Sequence, residues 1–224
     1  MGNCLVTKLN GVVDNDNLDY FDGIKITVKP FEGYADSCYL RFVNATEAFE
    51  VFCPDGGNRL STSSDLSNAT SSITVPAAQM SNFNIYVDKT TEYSIVLKCK
   101  YSSVSTVYFY GKAINVNVDG FKYITGILSF TCYDTTTSGD INQFTKISAL
   151  QSFIVRGSSA YATGNLSTFN SAKNLLTLFV GNGNFSGEIK DLADAQVAGG
   201  SPRTSGSLAI TSNGFLTLNG VLVP

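Results

Sequence analysis

The chain has 224 residues, 18 acidic and 15 basic, and no histidine or tryptophan. Without imidazole, Ser-His-Asp and Cys-His catalysis and His-ligated zinc are excluded. A net charge of −3 with four arginines argues against a nucleic-acid surface. With 43% hydrophobic and 15% charged residues the chain is neither disordered nor a coiled coil, and its 20 Gly, 15 Phe and 11 Tyr point to β structure rich in turns.

The opening Met1–Thr7 has no charged segment followed by an apolar one, so it reads as a mature start and not as a secretory signal. Val6 breaks the myristoylation pattern. No run approaches about 18 apolar residues, so no membrane insertion is expected. Cys4, Cys38, Cys53, Cys99 and Cys132 form no C-x-x-C pair, and their odd number and wide spacing suit reduced, buried cysteines.

Residues 1–120 predict short strands at Leu5–Leu9, Ile24–Lys29, Cys38–Val43, Phe49–Cys53, Ile73–Val75, Phe83–Val87, Tyr93–Lys100, Val107–Tyr110 and Ile114–Val118. Ile24, Ile26 and Val28 fall on one face, as do Tyr93, Ile95, Leu97 and Cys99, which is the alternation of half-buried antiparallel strands. Such strands, separated by Gly, Asn, Asp and Ser, predict an N-terminal antiparallel β-sandwich. The stretch Asp55–Ser72 has no apolar period and reads as a long exposed loop.

Residues 121–224 change character. The signature [Ser/Thr]-Gly-x-[Leu/Ile] recurs at Gly139, Gly164, Gly187 and Gly206, spaced 25, 23 and 19 apart. A short apolar strand precedes each of the first three: Leu128–Cys132, Gln151–Val155 and Leu176–Val180. The anchors Phe144, Phe169 and Leu192 follow, then Ile147, Ala172 and Ala195. Strand, turn, glycine and short helical stretch at this period resemble a leucine-rich repeat, most closely over Leu176–Leu192, with Asn184 near the repeat's asparagine. Thr135–Thr137 and Ser158–Ala160 stand where the other units would carry asparagine. The resemblance covers Leu128 to about Gly200 and implies a short solenoid whose apolar residues stack on their neighbours. Asn213-Gly214, between Leu208–Ser212 and Phe215–Leu218, predicts a β-hairpin that caps it. The expected fold is therefore mainly β: a sandwich domain over 1–120, then a leucine-rich-repeat-like solenoid over 121–224 with a terminal hairpin.

Candidate sites reduce to structural roles. Asp14–Asp19 begins like a calcium loop, but Leu18, Asp19 and Lys25 occupy the places of an oxygen ligand, Gly and Glu, so a turn is favoured. Glu47 with Glu50, and Glu188 with Asp191, read as solvated surface and not as a glycosidase pair. Cys99 lies between Lys98 and Lys100, whose side chains alternate to the opposite face, so it reads as core. Tyr108-Phe109-Tyr110, with Tyr101 and Tyr123, has the composition of a sugar-binding surface, but strand packing is the favoured reading. No catalytic, cofactor-binding or metal-ligating residue is expected, and the chain reads as a non-enzyme.

Asn3–Leu9, followed by Asn15–Leu18 and a strand like Gly23–Val28, resembles the N-terminus of virion proteins of Bacteroidetes (crAss-like) phages, over about 30 residues. The resemblance implies a virion structural protein made in host cytoplasm: a capsid decoration, head-fibre or tail-associated component. It also implies a homo-oligomer with other virion proteins as partners, and a host-surface glycan as a further candidate. The alternative is a bacterial repeat-type surface module that binds protein or glycan.

Overall fold

The computed structural model describes residues 21–32, 37–77, 82–99, 104–156, 159–160, 162–172, 174–175, 177–180, 184–187 and 215–216. The strands are β1 (Phe21–Val28), β2 (Tyr39–Val43), β3 (Phe49–Phe52), β4 (Leu60–Ser61), β5 (Ser72–Val75), β6 (Phe83–Val87), β7 (Tyr93–Cys99), β8 (Thr106–Tyr110) and β9 (Ile114–Asn117). They continue as β10 (Ser129–Tyr133), β11 (Thr136–Ser138), β12 (Ser152–Arg156), β13 (Ser159–Ala160), β14 (Thr163–Asn165), β15 (Thr177–Val180), β16 (Asn184–Ser186) and β17 (Phe215–Leu216). The chain is mainly β, as its composition predicts; no described helix is long and apolar enough to cross a membrane.

One sheet has seven strands in the order β13-β11-β9-β1-β7-β3-β5, and a larger one has eight in the order β17-β15-β12-β10-β8-β2-β6-β4. Alternating side chains make the strands two-faced: β2 and β8 each bury every second residue. Phe42 of β2 meets Phe49 of β3 edge-on at 5.0 Å, so the two sheets share an apolar layer. Ile26, Val51 and Leu97 enter it from the smaller sheet, and Leu40, Ile85 and Phe109 from the larger. Each large apolar side chain buried there contributes about 1.5–3 kcal/mol.

Pairing changes direction near residue 120 without a break. β8 takes β2 antiparallel on one edge and β10 parallel on the other. β9 does the same between β1 and β11. From β8 onward the parallel register repeats: Thr106 pairs with Ser129, Ser129 with Ser152, and Ser152 with Thr177. Backbone hydrogen bonding and the apolar core thus both run across the expected division at residue 120.

Three 3₁₀ turns, Val118–Tyr123, Ile141–Lys146 and Leu166–Ser171, follow strands of this part. Asn117, Asp140 and Asn165 cap them, each side-chain oxygen accepting the N–H two residues on. The caps also lock neighbouring coils together. Asp140 N–H donates to Asp119 Oδ1 at 2.7 Å, and Asn165 N–H to Asn142 Oδ1 at 2.9 Å. Thr168 Oγ1 donates to the same Asn142 oxygen at 2.6 Å. This packing accounts for the recurrent glycine. Gly139 and Gly164 have φ of +96° and +132°. A Cβ on the first would collide with Asn117 and Asp119, and on the second with Asp140 and Ile141. Gly187 packs likewise on Asn165, and Gly206 lies outside the described residues.

Two expectations need correction. Asp55–Ser72 is not wholly an exposed loop: Leu60 is fully buried, and β4 adds to β6 through Leu60–Val87 and Ser61–Tyr86. Leu60, Leu66 and Ala69 are too few and too widely spaced in this polar stretch to create a period, so the pattern hides the buried one. Beyond the predicted β9, the parallel part carries a second strand in each coil, β11 and β13, which no apolar alternation announces. Thr135 and Thr137, at the supposed asparagine position, are instead buried with their hydroxyls 3.1 Å apart. The predicted strand Leu5–Leu9 and the Asn213-Gly214 turn lie outside the described residues; β17 pairs antiparallel with β15 at the sheet edge.

Candidate functional site

The outward face of the larger sheet carries three cross-strand rows. Tyr86, Tyr39, Tyr110, Tyr133 and Arg156 are successive register partners from β6 to β12. Beside them run Asn84, Arg41, Tyr108, Thr131, Ile154 and Phe179. The third row is Val43, Thr106, Ser129, Ser152 and Thr177.

The tyrosines form an ordered array. Tyr39 and Tyr110 lie 5.1 Å apart with planes 21° apart, and Tyr110 and Tyr133 lie 5.7 Å apart at 18°. Near-parallel rings this close are offset face to face. Tyr110 is therefore covered on both faces. Tyr86 closes one end of the row, tilted 59° against Tyr39. Arg156 closes the other, its guanidinium 4.9 Å from the Tyr133 ring centre and 5.9 Å from that of Phe179. Arg41 lies 5.0 Å from the Tyr39 ring and 5.2 Å from Tyr108, within cation–π range. It is fixed by donating from Nε to Asn84 Oδ1 at 2.9 Å and from Nη2 to Tyr39 Oη at 3.1 Å.

Because the ring faces cover one another, the array presents ring edges, phenol hydroxyls and guanidinium groups. No row position on β2, β6, β8, β10, β12 or β15 is Asp or Glu. Among the described residues the ion pair is Arg59–Asp55, which involves neither face arginine. Burial raises the pKa of Tyr108, with Tyr39 adding to the effect and Arg41 opposing it. The phenol stays neutral and able to donate a hydrogen bond.

The structure separates the sequence candidates. Phe109 is buried, whereas Tyr108 and Tyr110 point outward and pack on the rings of neighbouring strands. The side chains of Tyr101 and Tyr123 lie outside the description. Cys99 is fully buried in β7, as expected. Glu47 is exposed and Glu50 half-buried, with Glu50 accepting a hydrogen bond from Ser72. Asp14–Asp19, Glu188 and Asp191 fall outside the described residues. Among the described residues no group of three or more Cys, Asp or Glu is placed to hold a metal. Sequence reasoning missed Tyr39, Arg41, Tyr86, Tyr133 and Arg156. The available signal was an aromatic or arginine at outward positions of successive predicted strands.

No family model matches the chain, and no curated protein matches it.

Proposed function

We propose that this protein is a non-enzymatic structural component of a phage particle, a capsid decoration, head-fibre or tail-associated protein, that docks through its tyrosine and arginine face. In this reading residues 1–120 form an antiparallel β-sandwich and residues 121–224 a short leucine-rich-repeat-like solenoid with a terminal hairpin. The carrying observation is the row Tyr86–Tyr39–Tyr110–Tyr133–Arg156, a rigid face with no carboxylate among its row positions. Tyrosine and arginine are the side chains that supply most contact energy in protein recognition. The N-terminal resemblance to phage virion proteins supports the setting. Synthesis in host cytoplasm, homo-oligomeric assembly and contact with other virion proteins belong to the same proposal.

The test is reconstitution. Particles assembled without this chain are incubated with the wild type and with a Tyr39→Ser/Tyr133→Ser/Arg156→Ser variant. Co-sedimentation of the wild type alone supports docking through the face. Equal co-sedimentation, or none for either, overturns it.

A second reading, a bacterial surface module of the leucine-rich-repeat type, draws on the 23-residue register steps from Thr106 to Ser129 and Ser129 to Ser152. It expects attachment to cell envelopes and none to particles.

A further inference from the structure

We propose that the tyrosine and arginine face binds an acidic polysaccharide, taken edge-on; this rests on the reading of that face as a binding surface. The inference concerns which chemistry the face selects, and four observations carry it.

The first is the state of the rings. A neutral sugar stacks its apolar face on an open aromatic ring. Here Tyr110 lies between Tyr39 and Tyr133, and Tyr133 lies between Tyr110 and Arg156. Those ring faces are occupied, which leaves neither ring open for a neutral sugar to stack on.

The second is charge. Arg41 and Arg156 are two of the chain's four arginines, and neither meets a carboxylate among the described residues. A guanidinium offers a planar fork of donors that fits a carboxylate or sulfate. Arg41 is already oriented by Asn84 and Tyr39, so little side-chain freedom is lost on binding.

The third is spacing. Arg41 on β2 and Arg156 on β12 are three strands apart in the sheet and two residues offset along it, about 16 Å at the usual strand spacing and rise. Duplex DNA carries a charge roughly every 1.7 Å of axis, far denser than this face can neutralise. Two cations at that separation can each take an acid group, a few sugar units apart on one polymer.

The fourth is the row beside them. Thr106, Ser129, Ser152 and Thr177 repeat one hydroxyl per strand. Such a line matches a chain of sugar hydroxyls.

The test is native affinity electrophoresis of the full chain in gels containing polygalacturonate, dextran sulfate or neutral dextran, with a DNA duplex as a separate arm. The two acidic polymers distinguish carboxylate from sulfate as the recognised group. Retardation by either, and not by dextran, is expected. Arg41→Gln/Arg156→Gln should raise the half-retarding concentration by about ten-fold or more, since two charge-assisted contacts are lost. Lys29→Gln/Lys98→Gln, at the other sheet, removes the same two units of charge and should leave it unchanged. If the double variant melts early, the exposed Arg156→Gln alone carries the comparison. Equal retardation by dextran, DNA binding as tight as polygalacturonate, or an unchanged double variant overturns the proposal. Absence of retardation by every polymer overturns this ligand class, while particle reconstitution still decides whether the face docks.

Discussion

The two faces of the larger sheet use aromatic side chains in opposite ways. Inside, Phe130 meets Phe121 at 74°, Phe144 at 69° and Phe153 at 14°, so its neighbours come from strands and 3₁₀ turns alike. Outside, Tyr39, Tyr110 and Tyr133 have only strand neighbours and lie nearly parallel. The inner rings fill a volume, whereas the outer rings make a line. A ring enclosed on all sides takes edge-to-face contacts that satisfy its quadrupole in three dimensions. A ring with solvent above it settles against whatever its register partner offers. The same alternation thus yields a core on one side and a patterned face on the other.

Removing an inner ring should have the largest effect. Phe153→Ala deletes a fully buried side chain packed on Phe130, Phe144 and Phe169. A loss of about 3–5 kcal/mol is expected in denaturant unfolding. A loss near 1 kcal/mol would mean that the inner cluster tolerates a gap and differs little from the outer array. Gly164→Ala tests the edge where coils lock together. The unfavourable φ and the collision with Asp140 and Ile141 should together cost about 2–4 kcal/mol, read as a lower urea midpoint.

The two faces should also part company in alkali. Burial pushes the Cys132 thiol up from 9.0 to about 12, against hydrogen bonds from Thr137 and Thr135. The unfolded chain then ionises first as pH rises. Stability from this group is intact below pH 9.0 and is lost progressively toward about 12, at about 1.4 kcal/mol per pH unit. Melting followed from pH 8 to 11 should fall more steeply for the wild type than for Cys132→Ala. Parallel curves would show that the thiol is not the titrating group. At the small end, Tyr133→Ser should cost no more than about 1 kcal/mol, because its ring is half-buried and its contacts are stacking and cation–π. A cost equal to that of Phe153→Ala would make the outer row a second core.

Most of the fold was legible because its signals are local. Alternation over Phe83–Val87 or Tyr93–Lys100 places strands within a residue of β6 and β7. The glycine spacing foretells stacked strands because Gly139 and Gly164 each pack on the coil before. The outer tyrosine row was hidden for the opposite reason. Tyr39 and Tyr133 are far apart in sequence and share a row only through β8, and register between distant strands leaves no mark in either strand. The short strands β11 and β13 were missed because two or three polar residues show no period.

The shared acceptor Asn142, like Asp119 one coil earlier, ties a coil's position to that of its neighbour. Length along this axis is therefore a modular quantity. Duplicating a whole 23-residue unit such as Ser129–Gln151 would add one strand to each sheet and leave the joints on either side alike. A residue added in a connecting loop would be absorbed there, as the longer 25-residue step from Ser152 to Thr177 already is, whereas one added inside a strand would turn its later side chains to the other face.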